Sequence, residues 1–362
     1  MVSSLGLDVR TGCAAARAGL SRTVELDCFT NWSPVDGAIT PVVAHQIPQI
    51  TAGFEGPTRL GRILAGAIAD FNARNRHFDW TNEKSGWYIA LPDPHRDQRG
   101  WRRMVDQEAR DEREPLEKTL QSSAEIQDTQ YASRIFRLAT STFRPAKSVP
   151  VRWLSHDGNC AVANCLRQAL FDLDNRVVDT ALIAAADSWL DEGTLTWLHQ
   201  TGRLKSPEIP TGLAPGEAGV VLCLQSSNRS YGEEQPVVQI EGVHTQEEEQ
   251  TFYSASPITG NALGDLLKST VDGSAAWLLV DLNGEEYRSM EWGYALVRAQ
   301  AENYFATFPA TEFGDTGVAS AAVAIATVDH ALRRRCASAK RAVVFSGSEE
   351  RTRTAVVLQA VA

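Results

Sequence analysis

The residues best placed for chemistry gather around one cysteine. Cys160 follows the turn His156-Asp157-Gly158-Asn159 and opens an apolar stretch, AVANCLRQAL, with helical patterning. A thiol at a helix N-terminus is suited to nucleophilic catalysis, because the dipole and the free N–H groups there stabilise a thiolate. The same N–H groups can hold a developing oxyanion. His156 and Asp157 would supply a Cys–His arrangement, although the commoner role of such turn residues is to cap the following helix. His199 beside Trp197, His244 at a strand end and His330 late in a second apolar helix have no partner in the sequence. Nothing spells a Ser–His–Asp triad, a phosphate loop or a dinucleotide fingerprint, so no cofactor is expected.

The six cysteines (Cys13, Cys28, Cys160, Cys165, Cys223, Cys336) form no CxxC pair and have no histidine at zinc-site spacing. No metal is expected. Cys165 and Cys223 fall in apolar helix and strand patterns, where a small buried thiol is the default, and a reducing cytoplasm fits this usage. A formal charge of −10 over 362 residues argues against a nucleic-acid or anionic-membrane partner. The basic runs at Arg99, Arg102, Arg103 and at Arg333, Arg334, Arg335 read as solvated faces. No apolar run is long enough to cross a membrane, and MVSSLGLDVRTG lacks the pattern of a signal peptide.

The elements that must position these residues read as α/β throughout. Continuous apolar runs predict buried strands at Trp87–Leu91, Ala181–Ala186, Gly219–Leu224, Val237–Ile240, Trp277–Leu282, Ala342–Phe345 and Ala355–Leu358. Helical patterns cover Ala161–Asp174, Gly260–Ser269, Met290–Phe305 and Val318–Arg335. VASAAVAIATV is apolar or small on every side and AVANCLRQAL nearly so, which predicts burial on all faces. Each follows a turn-rich segment. One such helix per half predicts a duplicated α/β/α unit with its central helices between two sheets. The halves are 1–228 and 229–362, divided in the polar segment Gln225–Gln235, and the charged stretch at about 93–127 reads as an exposed insertion.

The wording TGRLK and GLAPGEAGVVL, within the strand–helix–turn–strand order of Val178–Leu224, resembles the β-ketoacyl synthases of the thiolase superfamily. The resemblance covers roughly Gly158–Leu224 and Ala276–Ala331. It is weak at the start, where SSLG and CAAARAGLSR resemble the end of a first strand and the next helix, with most of that strand missing. It implies the five-layer αβαβα thiolase fold, with two mixed sheets around the central helices.

It also implies where catalytic residues should stand. In that family the nucleophilic cysteine precedes an aspartate of the next strand, here Asp179, by an interval that lands on Asn159. Cys160 lies one residue further along, and one residue turns a helix by about 100°. A histidine follows a later buried strand, and that place, after WLLVDL, belongs to Asn283. A Gly–His opens the second buried helix with a lysine upstream; here Asp315 follows Gly314, and Ala310 stands near the lysine's place. An amide does not titrate near neutrality, and an anionic aspartate would repel a thiolate or an enolate. Asp187-Ser188 and Gly216-Glu217 match the family's architectural positions.

The resemblance is closest to short, divergent thiolase-like proteins, some of them encoded beside type VI secretion components. The reading is therefore a catalytically degenerate, non-enzymatic protein that serves as adaptor or scaffold. It would bind a protein client or effector, or pair as homodimer or heterodimer with another thiolase-fold protein through Val151–Leu154. The alternative is an active 3-oxoacyl synthase or acyltransferase with Cys160 as nucleophile.

Overall fold

The two large sheets are built the same way twice. In the computed structural model, which describes residues 1–32, 37, 39–100, 130–226, 237–254, 256–271, 276–301 and 304–361, twelve strands are formed. They are β1 (Val2–Ser3), β2 (Val24–Trp32), β3 (Ile39–Ala44), β4 (Ser85–Ala90), β5 (Val151–Ser155), β6 (Thr180–Ser188), β7 (Glu217–Gln225), β8 (Val237–Glu247), β9 (Ala276–Val280), β10 (Tyr304–Thr307), β11 (Arg341–Gly347) and β12 (Thr352–Val361). The first sheet has the order β1-β7-β6-β4-β5 and the second β8-β12-β11-β9-β10. In both, the three strands at one side are parallel and the remaining two pair antiparallel. The hairpin β2–β3 is an addition to the first half.

The strands were legible because both faces are covered. Along β6, Leu182, Ala184 and Ala186 join the outer core with Leu60, Ile63 and Ile68 of helix Gly56–Arg74. Ala181, Ile183 and Ala185 face inward, and the period of two sorts one apolar run onto two cores. On β11, Val343 and Phe345 meet helices Asn261–Thr270 and Glu286–Ala299, while Ala342 and Val344 face inward. Between the sheets lie helices Ala161–Asp174 and Ser320–Arg333, whose alanines allow both sheets to approach closely. The result is the five-layer αβαβα arrangement.

Several expectations are refined. The helix expected over Met290–Phe305 runs over Glu286–Ala299. It ends at Gln300, which adopts the left-handed conformation (φ 49°) that closes helices, and the chain continues into β10. His244 lies within β8 rather than at its end. The first strand is present as two residues at a sheet edge, Val2 opposite Gly219. The division at 228/229 and most of the charged stretch 93–127 lie outside the described residues. No helix among the described residues is long and apolar enough to cross a membrane.

Asp187, at the end of β6, ties the two central elements together. It accepts hydrogen bonds from Arg96 Nη1 (2.8 Å), the Ser188 N–H (2.7 Å) and the Val318 N–H (2.9 Å). It thus closes off the start of the second central helix with a carboxylate from the other half. Gly317 makes this approach feasible: its φ is +53°, and a β-carbon there would stand 2.1 Å from Asp187 Oδ2. Gly317→Ala should cost about 3 kcal/mol or more in urea unfolding, from strain plus overpacking. Gly202→Ala has a similar positive φ but open space around the added carbon, so it should cost about 1 kcal/mol.

Candidate functional site

The starts of both central helices converge with two loops from the second sheet. A short 3₁₀ turn, Gly158–Cys160, presents Asn159. The loop after β9 carries Asp281, Asn283 and Glu285, and the turn before the second central helix carries Asp315. Asn283, Asp315 and Asn159 are all buried.

These three residues belong to one network of hydrogen bonds and ion pairs. Asn159 Nδ2 donates to Asp281 Oδ2 (3.1 Å), which also accepts from Arg288 Nη1 (3.1 Å) and the Gly347 N–H (2.9 Å). Arg288 lies 3.8 Å from Glu285 Oε2, and Arg203 grips the same carboxylate with both Nε (2.6 Å) and Nη2 (3.1 Å). Asn283 Nδ2 donates to Glu285 Oε2 (2.8 Å) and to Asp315 Oδ2 (2.6 Å), and its Oδ1 accepts the Glu285 N–H. Asp315 Oδ1 takes Trp189 Nε1 (3.1 Å) and the Gly317 N–H (2.7 Å). Arg203 Nη2 reaches on to Glu349 Oε1 (2.6 Å), whose other oxygen accepts the Tyr253 hydroxyl.

The electrostatics follow from burial. Desolvation alone would lower the Arg203 pKa, but Glu285 and Glu349 reverse this and raise it well above its usual value. Its guanidinium also stacks 4.6 Å from the Phe252 ring and 4.9 Å from Trp197, which occupies the faces that hydrogen bonds do not. Burial would raise the Glu349 carboxyl, and Arg203 outweighs it and holds it below its ordinary value. The void bordered by Asp281, Asn283, Phe313 and Asp315 measures about 20 Å³, room for roughly one water.

Cys160 stands apart from this cluster. Its sulfur is fully buried and faces the carbonyls of Thr352 (3.3 Å) and Ser346 (3.4 Å), with Thr354 Oγ1 at 3.8 Å. Burial pushes the thiol up to about 12, and the Asp281 charge adds to the rise. His156 points elsewhere, its Nδ1 within 2.9 Å of the Leu91 carbonyl and 3.1 Å of that of Pro92. Asp157 accepts from Ser155 Oγ and Asn164 Nδ2, bracing the turn. Ala310 begins the short helix Ala310–Phe313 beside the same void. Among the described residues no group of three or more His, Cys, Asp or Glu could hold a metal.

Sequence reasoning did not find Arg203, Glu285, Arg288, Asp281 or Glu349. Arg203 sits within TGRLK and Glu285 within the NGEE that follows β9, so both lay in quoted motifs without a role. His45 was also missed. Its ring packs against Gly314, where an added β-carbon would come within 2.5 Å of it, and burial pushes its pKa down to about 4.

No family model matches this sequence, and no curated protein does. Solved structures do. The ketosynthase from module 6 of the bacillaene synthase of Bacillus subtilis 168 superimposes with a TM-score of 0.67 at 12% identity, over 98% of this chain and 70% of that one. The chain has the ketosynthase fold. A type II PKS ketosynthase in complex with its acyl-carrier protein gives 0.67 at 14% identity, over 100% and 97% of the two chains. The ishigamide ketosynthase/chain length factor gives 0.64 at 16%, again over 100% and 97%. At these identities the likeness is one of fold.

The central ion network should respond to substitution as a structural cluster. Glu285→Ala removes the two-pronged partner of buried Arg203, which keeps Glu349, while Arg288 keeps Asp281, so it should destabilise the protein by about 3 kcal/mol, read from urea unfolding. Glu285→Gln keeps hydrogen bonding and should lose less.

Proposed function

We propose that this is a catalytically silent ketosynthase-fold protein that acts by binding other proteins, as adaptor or scaffold. The observation that carries the reading is the closed network at the centre. The positions where the resemblance places nucleophile and two histidines hold Asn159, Asn283 and Asp315, and all three are committed to buried partners. Their bonded neighbours are guanidiniums and carboxylates already held in ion pairs. An acyl–thioester substrate needs a pocket of some hundreds of Å³, against about 20 Å³ here. Cys160, turned towards β12, combines a raised pKa with an enclosed sulfur, the opposite of an activated nucleophile.

Pairing with a second thiolase-fold chain, as homodimer or heterodimer, is part of the same reading. β5 is an edge strand of the first sheet, and its Val151 and Trp153 are 48% and 43% exposed. An exposed apolar edge strand is a template for pairing. The ketosynthase/chain length factor among the structural neighbours is an example of a two-part assembly. A protein client handled beside type VI secretion components, and a cytoplasmic location, rest on the sequence resemblance and cysteine usage alone.

Two measurements test this. Incubation with acetyl-, octanoyl- and malonyl-thioesters followed by intact mass spectrometry should give no adduct at Cys160. An adduct that disappears in Cys160→Ala would replace the proposal with the active-acyltransferase reading. Trp153→Asp should shift sedimentation towards the monomer without loss of fold; an unchanged oligomer would remove β5 as the pairing edge.

A further inference from the structure

Away from the centre, the structure holds a second and much larger opening. A cleft of about 750 Å³ lies between helix Val9–Arg17, the edge strand β10 and the C-terminal end of helix Ser320–Arg333. Its volume is that of a small-molecule site. The floor is apolar: Cys13, Trp277, Phe313 and Ala331 are buried, and Phe305 on β10 is 55% exposed. Trp277 Nε1 is already satisfied by Thr307 Oγ1 (3.0 Å), so the indole offers its apolar surface.

The rim is cationic. Arg10, Arg17 and Arg334 line it, all exposed, and none has an ion-pair partner among the described residues. Asp329, close by, is held by Arg333 at 2.7 Å. His330 also lines the cleft. Its pKa is lowered by burial first and then by Arg334, Arg74 and Arg17, with Asp329 acting in the opposite direction. Glu312 is the one carboxylate on the lining among the described residues. In a chain of net charge −10, such a concentration of unneutralised arginine is a directed feature.

We propose that this cleft binds an amphipathic organic anion, its apolar body on Trp277, Phe305 and Phe313 and its carboxylate or phosphate head between Arg17 and Arg334. The site is independent of the pairing edge at β5 and requires no catalysis.

Isothermal titration calorimetry with decanoate tests it, beside decanol, decyltrimethylammonium and inorganic phosphate, all below micellar concentrations. Decanoate should bind at one site, with the neutral and cationic analogues at least about tenfold weaker, as a lost charge-assisted contact implies. Arg17→Glu with Arg334→Glu should weaken decanoate by at least about tenfold. Phe305→Ser should weaken it while leaving the preference for the anion intact. These side chains are exposed, so circular dichroism should not change, and the double reversal should lower the melting temperature only slightly, because Arg17 and Arg334 sit at helix C-termini. Equal binding of decanol and decanoate would overturn the proposal. So would phosphate binding as tightly as decanoate, or indifference to the double charge reversal, or no decanoate heat at all.

Discussion

Six charged side chains, four buried and two part-buried, meet where the two central helices begin and bond across the two halves. Arg203, Glu285, Arg288 and Asp281 form a continuous run, extended by Glu349 at one end and, through Asn283, by Asp315 at the other. Buried ions are tolerable only when paired and hydrogen-bonded, since the cost of isolating each is several kcal/mol. Here the pairing crosses the pseudo-repeat. Asn159 and Arg203, from the first half, are satisfied by Asp281 and Glu285 of the second. Asp187 from the first half holds the N–H of Val318 in the second. Apolar layers place few directional demands on packing, whereas these ion pairs are directional.

The same commitment accounts for the chemical character of the centre. Four carboxylates against two guanidiniums leave excess negative charge, and the two helix N-termini that point into the region offset part of it. Asp315 illustrates the balance: its oxygens are filled by an amide, an indole and a backbone N–H. A thiolate formed beside these carboxylates would be opposed by their field, and Cys160 instead faces two carbonyl oxygens that disfavour an anion. Burial first, and the Asp281 charge second, raise its pKa and favour the neutral thiol.

Much of the fold was legible in the sequence because strands covered on both faces leave unbroken apolar runs, as AWLLV in β9 and RAVVFSG in β11 do. The small, all-round apolar helices were legible for the same reason. The hairpin β2–β3 and the short β10 were not, because β3 alternates exposed and buried residues instead of forming a continuous apolar run and β10 spans four residues. At the centre, the one-residue offset between Asn159 and Cys160 could be read as a rotation, and the two side chains do take different surroundings. The ion network could not be read: Arg203 and Glu285 are 82 positions apart, and charge type alone does not say which residues meet.

The closed centre and the open cleft share a wall. Pro309 and Phe313 border both the 20 Å³ void and the 750 Å³ cleft, and Phe313 is 2% exposed. Phe313 is presented by the turn that ends at Asp315, so its position is fixed by the bonds from Asn283, Trp189 and Gly317 to that aspartate. Gly314, with φ of 72° and the His45 ring packed against it, leaves little freedom for a different path. The residue that stands where the resemblance places a histidine thus serves to hold an aromatic partition in place. The aspartate at this position and the separation of the two cavities are, in this geometry, linked through the same side chain.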